Sequence, residues 1–113
     1  HYDGLPLEIH EITAEGLYKV TLLGKDLSDG QVPQYCVSKG HIFGSKIASS
    51  YNKEAGLKQK DEQYRYTLVG CTVTPGFDFE DFHLFSTLSL LEQYPQYQDQ
   101  IHDFFNPYID QEI

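Results

Sequence analysis

Residues 5–12 read Leu5-Pro6-Leu7-Glu8-Ile9-His10-Glu11-Ile12 (LPLEIHEI). Apolar and polar residues alternate, which is the period of a half-buried β-strand. Ala14-Glu15-Gly16 is a turn signal. Residues 17–23 (LYKVTLL) then read as a second strand folded back as a hairpin. Working outward, residues 24–30 (GKDLSDG) are polar and turn-rich, hence a loop. Residues 34–37 predict a short strand, closed by Lys39-Gly40. Residues 41–48 (HIFGSKIA) predict another, with Gly44 marking a bulge or a close backbone approach. Residues 64–74 (YRYTLVGCTVT) carry the strongest strand composition in the chain. The lysine-rich residues 49–63 between those strands read as a mobile insertion loop.

After Thr74 the period changes. Residues 86–94 (STLSLLEQY) predict a helix, with Ser86 as N-cap and Leu88, Leu90 and Leu91 on its apolar face. Pro95 stops it. Residues 97–105 (YQDQIHDFF) predict a second short helix, with Ile101, Phe104 and Phe105 buried, and Pro107 ends that one. Many short strands followed by two short helices predict an all-β fold, a barrel or sandwich with a helical tail, in a single domain over residues 1–113.

Composition narrows the function classes. Eight basic residues stand against 17 acidic ones, a net charge of −9. That balance argues against nucleic acid and anionic membrane surfaces, which need a basic footprint. No apolar run approaches the roughly 20 residues of a membrane-spanning helix, and no leader resembles a signal peptide. The default compartment is therefore cytoplasmic. From Tyr66 to the end there is no Lys or Arg but eight acidic residues. Cys36 and Cys71 both fall in strand-like runs. They read as small core hydrophobes, with a disulfide open only if their strands are neighbours, and they do not form a metal-ligand spacing.

Residues 70–85 (GCTVTPGFDFEDFHLF) interleave Phe77, Phe79 and Phe82 with Asp78, Glu80 and Asp81. The strand period, continued past Pro75-Gly76, lets the phenylalanines plug one end of the β-fold and leaves the acids exposed or in turns. The spacing is not that of a calcium loop, so the stretch reads as structural first.

The run PQYCVSKGHIFGS (33–45), followed by TLVGCTVTPGFDFEDFHLF (67–85) and LLEQYP (90–95), resembles a cupin-type family described as a domain of unknown function. Members of that family resemble, in fold, the sugar-nucleotide epimerases that act on dTDP-keto-sugars. The resemblance implies a cupin-like antiparallel jelly-roll barrel. It also implies a preceding segment, with a helix, the first strands and a His/Glu motif, that lies before the residue matched by His1. A barrel without its first strands exposes unpaired edges, which leads us to expect completion by a homodimer. Where the cupin second motif runs Pro-x-Gly-x-x-His, residues 38–43 read Ser-Lys-Gly-His-Ile-Phe. The proline and the metal-ligand histidine are both replaced, so the resemblance implies no metal site and no cofactor.

Several residues carry candidate chemistry. Glu8 and His10 share one strand face, where a histidine and a carboxylate can line a pocket as general acid and base; the alternative is a solvent face, with Leu7 and Ile9 as core. Tyr66 completes a catalytic set as the acid. Gln34, Tyr35, His41 and Tyr64 are candidate ligand-binding residues: an amide with donors and an acceptor, aromatics, and a rim histidine. Three functions stay open. They are metal-independent binding of a polar or sugar-like small molecule, a sugar-nucleotide isomerase or epimerase, and a non-catalytic interaction module.

Overall fold

A computed structural model describes residues 1–48 and 65–104. The chain divides into two compact units, His1–Cys71 and Thr72–Ile113. The first holds two antiparallel sheets. β1 (Asp3–Gly4), β2 (Leu7–Ile12), β3 (Tyr18–Leu23), β4 (Ile42–Ile47) and β5 (Thr67–Leu68) follow in chain order. One sheet pairs β1 with β5, and the other runs β3-β2-β4 with β2 in the centre.

The expected hairpin is present. β2 and β3 pair from Leu7↔Leu23 to Ile12↔Tyr18. The Thr13–Leu17 turn closes with Thr13 N–H donating to Leu17 O at 2.8 Å, while Leu17 N–H donates to Thr13 Oγ1 at 3.1 Å. On its other side β2 pairs with β4, from Leu7↔Ile47 to Ile12↔Ile42, without interruption. The bulge expected at Gly44 is therefore absent; Gly44 sits in regular register opposite His10. The chain passes from β1 to β2 through Leu5-Pro6. There the partner changes: Leu5 N–H donates to Tyr66 O, while Pro6 O accepts from Ala48 N–H.

Two other strand expectations are corrected. Residues 34–37 form no strand; just before them Val32 makes an isolated parallel bridge to Leu23. Pro33 stands directly before the segment and cannot donate to a ladder, which works against a strand starting there. The expected long strand over residues 64–74 shrinks to Thr67–Leu68, with Asp3 and Gly4 as its partners. Strand composition without a long partner gives only a short ladder. Residues 49–64 lie outside the described residues, and with them the expected insertion loop and Tyr64.

Among the described residues, Ile9, Ile12, Leu23 and Ala48 make up the buried hydrophobic core of this unit, beside buried Pro6. Each large one contributes about 1.5–3 kcal/mol by leaving water. Buried Gln31 braces the 24–31 loop: its Oε1 accepts from Asp26 N–H and its Nε2 donates to Asp29 Oδ2, both at 3.1 Å. Cys36 and Cys71 are exposed and form no disulfide, contrary to their reading as core residues. Their segments lie outside the regular strands, so the apolar neighbours in sequence do not bring burial.

In the second unit, α1 (Thr87–Gln93) is capped as expected: Ser86 Oγ accepts from Ser89 N–H at 3.2 Å. α2 (Gln98–His102) follows a turn over Pro95–Tyr97, and Ile101 is its buried residue. Leu88 is exposed rather than part of a buried face. Phe105 and Pro107 lie outside the described residues. Among the described residues, no helix is long and apolar enough to cross a membrane.

Candidate functional site

The alternation of β2 sends Leu7, Ile9 and Glu11 to one face of the central sheet. Glu11 thus stands in phase with the apolar positions, and it is only 2% exposed. A buried carboxylate needs partners, and two residues far along the chain supply them. The Tyr35 hydroxyl donates to Oε1 at 2.5 Å, and His41 Nδ1 meets Oε2 at 2.5 Å. Burial alone would raise the Glu11 carboxyl. The hydrogen bonds from Tyr35 and His41, with the charges of His41 and Lys19, outweigh it and hold Glu11 below its ordinary value.

Cross-strand pairing puts Lys19 and Phe43 on the same face as Glu11. Lys19 Nζ lies 5.0 Å from the centre of the Tyr35 ring, within cation–π range. Tyr35, and more distantly Glu11, hold the lysine above its ordinary value. When the His41 ring is neutral, an ionised Glu11 fixes its proton on Nδ1. Nε2 then presents a lone pair, and it has no hydrogen-bond partner among the described residues. The arrangement can accept a proton or a hydrogen bond from a polar ligand at Nε2.

Glu8 and His10 occupy the opposite face with Ile12. They do meet: Glu8 Oε1 lies 2.8 Å from His10 Nε2, with both side chains mostly shielded. The third partner is not Tyr66 but Tyr18, whose hydroxyl is 2.5 Å from His10 Nδ1. The two rings meet edge to face at 5.6 Å. Tyr66 donates instead to Asp3 Oδ2 at 2.7 Å. That hydrogen bond lowers the Asp3 carboxyl and raises the Tyr66 phenol.

Of the expected ligand-binding residues, Tyr35 and His41 come together, on Glu11. Gln34 is exposed and shares no described contact with them. Glu11 and Lys19 escaped the sequence reading. The signal for Glu11 was present, since an acid at the third apolar-phase position of a strand demands an explanation. Among the described residues, no group of three or more His, Cys, Asp or Glu side chains is placed to hold a metal.

The stretch over residues 77–82 is a capped turn. Asp78 Oδ1 accepts from Glu80 N–H at 2.9 Å, opening a 3-10 turn over Phe79–Asp81. Asp78, Glu80 and Asp81 are exposed, as expected. Phe77, Phe79 and Phe82 pack on one another, with ring centres 4.9–6.4 Å apart. They do not form a buried plug: all three are exposed, Phe79 by 79%.

Three comparisons bear on this geometry. The family model described as cupin superfamily (DUF985) matches residues 1–85. A crystal structure of a Shewanella oneidensis protein is similar, with 39% identity and a TM-score of 0.75, covering 94% of this chain and 58% of that one. A hypothetical protein from Leishmania major is similar at 33% identity and a TM-score of 0.77, covering 93% of this chain and 61% of that one. The chain thus spans about three-fifths of the length of each of these two structures. No curated protein matches it.

Proposed function

The chain belongs to the DUF985 family of the cupin superfamily, and from the chemistry of its central sheet we propose that it binds a polar, sugar-like small molecule without a metal. The observation that carries this reading is the buried Glu11 carboxylate, which orients His41 so that Nε2 points away from its partner. Sugar hydroxyls donate to such a nitrogen, the exposed ring of Phe43 offers an apolar surface, and Lys19 adds a cation. Closure of the two sheets into a jelly-roll barrel, and pairing into a homodimer, belong to the same proposal, since both would cover open strand edges.

The second reading is an isomerase or epimerase. The same Glu11–His41 pair favours it, because a histidine held by a carboxylate is the base that proton abstraction beside a carbonyl requires. Turnover of a dTDP-keto-sugar separates the two readings.

The test is thermal unfolding with hexoses, hexuronic acids and hexose phosphates as probes. At least one class should raise Tm for the intact chain, and His41→Ala should remove that rise while still folding. The proposal fails if no probe raises Tm, or if His41→Ala responds like the parent. Native mass spectrometry then reports whether the responding species is a dimer.

A further inference from the structure

The Glu8–His10–Tyr18 chain lies on the face of β2 opposite Glu11, and the function proposed above does not use it. We propose that it is a second site, in which Tyr18 is an oxygen nucleophile for a small activated acyl donor such as an ester. The geometry is that of a nucleophile, a base and an orienting acid in line: Oη to Nδ1 at 2.5 Å, and Nε2 to the carboxylate at 2.8 Å. With Glu8 ionised, Nε2 carries the proton and donates to Glu8. Nδ1 therefore offers its lone pair to the Tyr18 hydroxyl.

That tautomer is the one a base needs. As Oη forms a bond to the acyl carbon, its proton passes to Nδ1, and Glu8 balances the resulting imidazolium. The bond from the acyl carbon to the leaving oxygen breaks with its electron pair, and the leaving group takes the proton from Nδ1. The product is an acyl ester of Tyr18. Water, activated by the same nitrogen, returns the free phenol and the acid.

Approach to the site is explained by the register. The cross-strand neighbours of His10 are Val20, which is exposed, and Gly44, which has no side chain. The absence of a side chain at Gly44 is the feature that the regular register of β4 leaves otherwise unexplained. Lys46, opposite Glu8, places one cation on the same face.

The test is acetylation of the intact chain by p-nitrophenyl acetate, read residue by residue by peptide mass spectrometry. Tyr2 is the internal comparison, being the more exposed phenol. Tyr18 should be acetylated about tenfold faster than Tyr2 or more, and His10→Gln should remove that advantage. Glu8→Gln should reduce it to a smaller extent. Equal rates at Tyr18 and Tyr2 in the parent chain overturn the proposal, a result that needs no variant to fold. An unchanged Tyr18 rate in a folded His10→Gln chain overturns it as well.

Discussion

Two histidines are held by two glutamates of one strand, on opposite faces, and the pairs differ in reach and burial. Glu8 takes His10 from two residues away, on a face where both side chains are mostly shielded but not wholly buried. Glu11 takes His41 from 30 residues away, with its own side chain almost wholly buried. The tautomers are opposed too. Glu11 holds His41 at Nδ1 and leaves Nε2 open, whereas Glu8 holds His10 at Nε2 and leaves Nδ1 to Tyr18. The difference shows how the three-residue step from Glu8 to Glu11, an odd number that changes face, converts a local pair into a long-range tether.

The largest effect should follow removal of the buried carboxylate. Glu11→Ala strands the Tyr35 hydroxyl and the His41 ring, and should cost about 2 kcal/mol in urea unfolding. It should also release the 33–41 segment, seen as faster amide exchange there. Near-parent stability would mean that the tether is not structural.

Acid should discriminate the pairs next. The Glu11 carboxyl is held below its ordinary value of 4.5 in the fold. A lowered folded value adds stability that is fully present above the unfolded value and is lost as pH falls through the folded one. The parent chain should therefore lose stability below about pH 4.5 more steeply than Glu11→Gln, which has no proton to take up at that site. Parallel acid curves for the two would contradict the assignment.

A smaller effect is expected on the other face. Glu8→Ala should cost less than about 1 kcal/mol, as partly exposed pairs do, while slowing Tyr18 acetylation. A cost equal to that of Glu11→Ala would erase the contrast in burial. The smallest effect belongs to Tyr66→Phe. Its hydroxyl bonds Asp3 at the surface, so both the Tyr18 acetylation rate and the sugar-induced rise in Tm should stay unchanged.

These contrasts also show what could be read from residues alone. The β2–β3 hairpin was legible because alternation and a short turn are local signals, and the Ser86 cap was legible for the same reason. The Glu8–His10 pair followed from a two-residue spacing on one strand. Tyr18 was not found as its partner, because that requires the hairpin register, Ile12↔Tyr18, rather than the period alone. Tyr66 is suggested instead by its place on one face of the strand-like run 64–74. Tyr35 and His41 are each legible singly, but nothing local links either to Glu11. The shortfall of the 64–74 strand has a related cause, since β-forming residues state a preference while partners decide length.

The most direct measurement is the nitrogen NMR spectrum of the two imidazoles, with His10→Gln and His41→Ala used to assign them. The structure predicts opposite neutral tautomers, Nδ1–H for His41 and Nε2–H for His10, each shifting when its glutamate is replaced by glutamine. The same tautomer at both sites, or a His41 signal indifferent to Glu11→Gln, would contradict the account of two differently held histidines.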